Sequence, residues 1–301
     1  MKKTKLSHSR IVDFNKCKRL FKYRNIENIY PKKTKDFLQF GSVFHDSLRQ
    51  MYEGVSLAKI QDANIDIFNE FLHSTVDQKQ VDEIESSAVV LNAALEVWHT
   101  KFYRKDKEKF EIVEMEKKHE NLPIRNPKTN RKTQFVFSFI PDMVVRFEGG
   151  LWLVEYKTAT QTGNSFFHKL EMDFQVSAYV GYLQQIYKEP IQGVIYRVLK
   201  KPSIRLKKNE TRHLFYKRLI ELYKEKQSEY LIEYIFRRNQ AEIDAYKMDL
   251  FKTSKLIKQA IKDDCFPRNS HACQLFGKCS YWDLCMGVEN SEMLFEKIIK
   301  E

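Results

Sequence analysis

Asp142, Glu155 and Lys157 are the residues of this chain whose types and spacing point most directly to chemistry. They lie in FVFSFIPDMVVRFEGGLWLVEYKTA (135–159), which reads as two strands joined by a turn at Glu148-Gly149-Gly150. Side chains alternate along a strand, so Glu155 and Lys157 project to one side and Tyr156 to the other. With the turn at 148–150, Asp142 falls nearly opposite Glu155, and two carboxylates and one ammonium converge. Paired carboxylates hold a hard divalent cation such as Mg²⁺ or Mn²⁺. Such a cation polarises a phosphodiester oxygen and lowers the pKa of a bound water. A lysine beside it orients or deprotonates that water and stabilises charge developing on phosphate. The plain alternative is a same-face Glu–Lys pair on an edge strand, and an isolated Glu-x-Lys is a weak signal. Asp142 on the preceding strand is what lifts it.

Four cysteines form a second group. Cys273, Cys279 and Cys285 are spaced Cys-x5-Cys-x5-Cys near the C-terminal end, and Cys17 lies far away near the N-terminal one. Cys265 is the odd one and is not expected to be a ligand. Four thiolates suit a Zn²⁺ ion or a [4Fe–4S] cluster. The wide spacing, with no close Cys-x2-Cys pair, disfavours zinc-ribbon geometry. The plain alternative is four buried small hydrophobes.

These groups need elements to position them. Residues 7–24 (SHSRIVDFNKCKRLFKYR) read as a helix capped by Ser7 or Ser9, and residues 41–52 as a second helix opening at Gly41. Helical patterns continue over 56–110. Beyond Phe110 the alternation FEIVEMEKKHENLPI predicts a strand, 126–133 a polar turn, 170–188 a helix and 193–201 a strand. Residues 212–262 read as amphipathic helix, and the tail from 263 as irregular. The expected fold class is α/β, a single domain over 1–301. Its parts are an N-terminal basic segment (1–40), a helical region (41–110), a catalytic core (111–201), a second helical region (202–262) and a Cys-rich tail (263–301).

Composition narrows the partners. The net charge is +12 and the pI about 9.2. Residues 1–35 hold 12 Lys/Arg against Asp13 and Glu27, and residues 200–238 hold 12 against five Glu. Two basic segments in a chain that is 13% aromatic suit nucleic acid, although a lone basic run is usually a solvated face. No segment has 18 consecutive apolar residues and the first residues lack an apolar signal core, so neither a membrane span nor a secretory leader is expected. The expected location is cytoplasmic, where thiols stay reduced and patterned cysteines favour metal or cluster ligation over disulfides.

IPDMVV…LWLVEYKTA resembles the core of the PD-(D/E)XK nuclease superfamily, and of its RecB-like branch in particular. Gly41-Ser-Val-Phe-His45 resembles that branch's Gly-x-x-x-His helix, and Gln175-Val-Ser-Ala-Tyr179 its Gln-x-x-x-Tyr helix. The order of these motifs also agrees. The resemblance implies a restriction-endonuclease-like central mixed sheet flanked by helices. It implies His45, Asp142, Glu155 and the Tyr156 backbone carbonyl as ligands of Mg²⁺ or Mn²⁺, with Lys157 acting on the water. Gln175 and Tyr179, at i,i+4 on one helix face, would position DNA. CQLFGKCSYWDLC and FNKCKRLFKYR resemble segments of branch members that hold an iron–sulfur cluster: AddB-type subunits, CRISPR-associated exonucleases and stand-alone phage nucleases. Cys17, Cys273, Cys279 and Cys285 would then ligate a structural [4Fe–4S] cluster that staples the tail. The implied activity is exonuclease action on single-stranded DNA ends in recombination, repair or phage and CRISPR DNA processing, with recombination or repair proteins as candidate partners. Two other readings stand beside it: a DNA-binding subunit that keeps the fold without cleavage, and a zinc-containing structural protein.

Overall fold

Gly150–Ala159, which carries Glu155 and Lys157, is the middle strand of a five-stranded sheet. The computed structural model describes residues 4–32, 36–73, 78–275 and 277–298. Its strands are β1 (Thr4–Leu6), β2 (Ile29–Pro31), β3 (Glu111–Met115), β4 (His119–Arg125), β5 (Lys132–Phe139), β6 (Met143–Phe147), β7 (Gly150–Ala159), β8 (Ile191–Lys200), β9 (Leu231–Phe236) and β10 (Phe295–Lys297). Its helices are α1 (His8–Lys16), α2 (Lys18–Phe21), α3 (Asp36–Tyr52), α4 (Leu57–His73), α5 (Gln78–Trp98), α6 (Arg104–Lys109), α7 (Asn164–Glu171), α8 (Phe174–Tyr187), α9 (Arg212–Glu225), α10 (Gln227–Tyr230), α11 (Gln240–Lys262) and α12 (Trp282–Met286). No helix among the described residues is long and apolar enough to cross a membrane.

The central sheet runs β3-β6-β7-β8-β9, with β7 and β8 parallel and the other neighbours antiparallel. This is the mixed sheet expected of the fold. The period of two sorts its side chains between two cores. Met143, Val145, Trp152, Val154 and Tyr156 pack with α3, α5 and α9, whereas Val144, Leu151 and Leu153 pack with α1, α8 and α11. A second sheet, β1-β5-β4, closes the latter side. Because both faces of β7 are covered, its run from Gly150 to Tyr156 is buried throughout.

Local chemistry sets the joints. Glu148 and Gly149 link β6 to β7 with φ of 49° and 77°, the positive pair that a two-residue type I′ hairpin turn demands. Asp173 caps α8 by accepting the Gln175 N–H at 2.7 Å. Asn239 and Glu242 form a capping box on α11.

Several sequence expectations change. The stretch from Phe110 to Ile124, read as one strand, is two, β3 in the central sheet and β4 in the other, and the helix read as opening at Gly41 begins at Asp36. Residues 135–147 are two strands in different sheets, broken at Pro141. Proline lacks an N–H and restricts the residue before it, so the ladder cannot run through. Asp142 therefore sits on the bend that enters β6. The helix over 7–24 is interrupted at Cys17, whose φ of −161° and ψ of 119° are extended, and it ends in a wide π turn over Lys22–Ile26. The region 212–262 is interrupted by β9, where Ile232, Tyr234, Ile235 and Phe236 supply β-branched and aromatic residues for the sheet edge beside β8.

The tail folds back on the N-terminal segment. β10 pairs antiparallel with β2, aligning Glu296 with Tyr30. Asn269 donates to the Lys16 carbonyl at 2.9 Å, and Arg19 donates to the Phe266 carbonyl at 2.9 Å. The Tyr281 hydroxyl donates to the Ile29 carbonyl at 2.8 Å.

Candidate active site

The bend at Pro141-Asp142 and the first residues past β3 meet at one end of the β6–β7 hairpin. Met143 aligns with Val154, so Asp142 comes opposite Glu155 as the turn predicts. Beyond that point β6 no longer pairs with β7, and the Asp142 side chain takes over. Its Oδ2 accepts the Tyr156 N–H at 2.6 Å, and its own N–H donates to Glu155 Oε1 at 3.4 Å. From α3, His45 places Nδ1 3.0 Å from Asp142 Oδ1. Gly41, one turn earlier, lies against the end of β7: a Cβ there would stand 3.6 Å from Thr158 Oγ1. The sheet thus brings His45, Asp142, Glu155 and Lys157 together.

Glu116 completes this group and was not singled out by sequence reasoning. It follows β3 directly, and its N–H donates to the Asp142 carbonyl at 3.0 Å. Its φ of 44° is unusual for a residue with a Cβ and costs on the order of 1 kcal/mol. One ligand atom each from His45, Glu116 and Asp142 lies within 4.8 Å of the other two. The available signal was the strand alternation ending at Met115. It lacked the pairing partner: β3 aligns Met115 with Met143, which carries the next residue to Asp142.

The electrostatics follow from crowding acids at a buried place. Glu155 is 1% exposed, and burial, with the Asp142 charge added, pushes its pKa well above the usual carboxylate range. Burial and Asp142 also raise Glu116. Burial works against a charged His45, but the hydrogen bond and charge of Asp142 outweigh it and raise its pKa. Lys157 donates to Gln175 Oε1 at 3.4 Å, and Gln175 Nε2 donates to the Tyr179 hydroxyl at 3.1 Å. Tyr179 is 6% exposed and stacks on Phe139, so it stands behind Gln175 and not on the open face.

Part of the 200–238 charge is already paired. Lys200 bonds Glu229, Arg218 bonds Glu210, and Arg212 bonds Glu85. Lys201 differs. Its N–H donates to the carbonyl of Ala159, the last residue of the Glu-x-Lys strand, at 2.7 Å, and its ammonium sits 3.8 Å from the Phe40 ring centroid. Burial lowers its pKa to about 8, and among the described residues no carboxylate pairs with it.

Cys17, Cys273, Cys279 and Cys285 line one cavity of about 400 Å³, walled also by Tyr23 and Trp282. Cys265 is exposed and outside it. Burial and the three neighbouring cysteines raise the Cys273 thiol. The break at Cys17 turns its side chain out of the helical run toward the tail, which is how residues so distant in sequence share one wall.

A search of curated proteins finds no match. The sequence profile of the PD-(D/E)XK nuclease superfamily, by contrast, matches residues 5–286, and so spans the cavity cysteines, β3 with Glu116 and the Asp142–Lys157 hairpin alike. With nearly the whole chain matched and the acidic group in place at the hairpin, this protein belongs to the PD-(D/E)XK nuclease superfamily.

Proposed function

We propose that this nuclease is a divalent-metal-dependent DNA exonuclease acting on single-stranded ends. The observation that carries the reading is the convergence of His45, Glu116 and Asp142 ligand atoms within 4.8 Å, beside the buried Glu155 and the oriented Lys157. The donor set fits Mg²⁺ or Mn²⁺: carboxylate oxygens with one imidazole. A buried carboxylate, Glu155, adjoining the half-buried Asp142 is costly unless a cation joins them.

His45, Glu116, Asp142 and Glu155 would hold the ion. The Tyr156 carbonyl joins them, because it leaves the strand on the same edge as the N–H that Asp142 accepts. When bound, the ion supplies charge stabilisation at a phosphoryl oxygen and a more acidic water. Lys157 presents its ammonium to the phosphate, held in line by Gln175, which Tyr179 holds in turn. Action on single-stranded ends rests on the likeness of the motifs to stand-alone RecB-like nucleases.

The cysteine cavity supports a structural [4Fe–4S] cluster over a lone zinc. One zinc with bonds of about 2.3 Å draws four sulfurs to within roughly 4 Å of each other. Among the described residues no three of these sulfurs lie within 4.8 Å of one another, a wider spread than one zinc draws its ligands into. A role in recombination, repair or phage and CRISPR DNA processing accompanies the same likeness.

The test is cleavage of end-labelled DNA, single- and double-stranded, linear and circular, with Mn²⁺ or Mg²⁺. Wild type should shorten linear single strands and spare circles, while Glu155→Ala and Lys157→Ala should not cut. Wild-type rates in both variants would sink the assignment. Binding without cleavage by wild type would instead make the chain a non-catalytic DNA-binding subunit.

A further inference from the structure

His8 is the first residue of α1, and its ring lies against Phe174, with centroids 6.1 Å apart. Phe174 opens α8, and its neighbour Gln175 takes the Lys157 ammonium. The charges that bear on His8 are those of Asp173 and Lys157. Asp173 is occupied as the α8 cap. Position 8 therefore borders the lysine side of the site.

The two nitrogens of this ring stand in different surroundings. Nδ1 is buried and has no hydrogen-bond partner. A buried polar atom left unpaired calls for an explanation. It costs least as a bare lone pair, since a buried N–H without an acceptor is the rarer and dearer case. Burial, the largest influence on the ring, also lowers its pKa and favours the neutral form. The proton of that neutral ring then belongs on Nε2. Among the described residues Nε2 makes no hydrogen bond, and the residue is partly exposed, so this N–H is open to solvent.

We infer that His8 Nε2–H donates to a non-bridging oxygen of a backbone phosphate in the bound strand, on the Lys157 side of the site, and that His8 is thereby a positioning residue for the DNA. The inference rests on the nuclease reading for its ligand, a phosphodiester. The neutral ring adds a directed donor where Lys157 supplies only unfocused charge, and it fixes the strand without competing with the metal donors. Gln175 does not duplicate it, because its side chain is engaged with Lys157 and Tyr179.

The experiment measures binding of a fluorescent single-stranded oligonucleotide in EDTA and in Ca²⁺, for wild type, His8→Ala, His8→Gln and His8→Phe. A hydrogen bond to a charged group is worth about 1.5–3 kcal/mol, so His8→Ala should weaken binding roughly 10- to 100-fold. His8→Gln keeps an N–H and should recover most of it. His8→Phe keeps the ring against Phe174 without the donor and should match His8→Ala, which settles the case even where the alanine variant folds poorly. A set of strands, each with one neutral methylphosphonate, locates the contact. At one position the substitution should weaken wild type by about the loss seen for His8→Ala, and should cost His8→Ala nothing more. Unchanged binding by His8→Phe, or additive losses at every position, overturns the inference. Failure of wild type to cut with Mn²⁺ sinks the nuclease reading separately, since binding here is measured without turnover.

Discussion

Asp142 Oδ2 accepts the backbone N–H of Tyr156 at 2.6 Å, where the β6–β7 ladder has already ended. The carboxylate proposed as a metal ligand is thus also the last rung of its own hairpin. Asp142→Ala is expected to lose cleavage and to loosen the hairpin end as well. Asp142→Asn retains an acceptor for Tyr156 and should lose cleavage with little change in melting temperature. Thermal melts of both variants beside activity check the separation.

Glu116 gives a sharper test of the metal group. Groups outside a metal's own ligand set already cost about 10- to 100-fold in affinity when removed, so a donor should cost at least that. Glu116→Gln is expected to raise the Mn²⁺ concentration for half-maximal cleavage by tenfold or more, with partial rescue at high Mn²⁺. A metal titration of initial rates reads it. An unchanged requirement would place Glu116 outside the ligand set.

Glu155 is buried beside another acid, so the metal-free protein holds it at a cost. Glu155→Gln should melt at a higher temperature than wild type in EDTA while losing roughly 10²–10³-fold in rate with metal. Added Ca²⁺ should raise the wild-type melting temperature and leave the variant nearly unmoved. Calorimetry with and without the ion distinguishes this from simple damage to the fold.

Lys201 carries a pH signature. Its folded-state pKa of about 8 lies below its ordinary 10.5, so the unfolded chain binds the proton more tightly. The destabilisation is present in full below pH 8 and fades as pH rises from 8 toward 10.5. Lys201→Met should therefore be the more stable protein at pH 7, with the gap closing by pH 10.5. If Lys201 meets a DNA phosphate, the same change weakens binding and reduces the slope of affinity against salt by about one. Denaturation at several pH values and a salt titration are the measurements.

Behind Tyr156 lies a buried ion pair. Arg197 of β8 bonds both oxygens of Asp106, Nη2 at 2.8 Å, while Tyr52 at the end of the His45 helix bonds the same acid. Removing one partner leaves a buried charge unpaired, which costs about 3–5 kcal/mol. Arg197→Met should destabilise the protein by that amount. Urea denaturation reads the loss, and adding Asp106→Leu should restore part of it.

The sequence revealed the hairpin because its logic is local. Turn residues, alternation and the offset between Asp142 and Glu155 suffice to oppose two carboxylates, and the Met143–Val154 alignment bears this out. Glu116 stayed hidden because it depends on which strand joins the hairpin's outer edge, a choice made by tertiary packing. Pro141 was visible, yet the separation of β5 from β6 into two sheets depended on the existence of β1 and β4 as alternative partners. The strand β9 hid within a lysine- and glutamate-rich stretch whose charges read as helix surface, although Leu231–Phe236 has a strand former at nearly every position. The shared cavity of Cys17 with the tail cysteines rested on resemblance, and no spacing within either segment foretold it.

The pairing of β2 with β10 has a consequence in time. Synthesis proceeds from the N-terminus at roughly 5–20 residues per second. Tyr30 therefore waits on the order of ten seconds or more for its partner Glu296 to be made. From about the midpoint of that interval until Cys273 is made, Glu116, Asp142, Glu155 and Lys157 exist while Cys17 still lacks the tail cysteines of its cavity. Chains that stall between Lys157 and Cys273 bear the whole acidic group on an unlatched N-terminal segment, the kind of end where proteases act first. The order of translation thus makes the latch the last part of the nuclease to form.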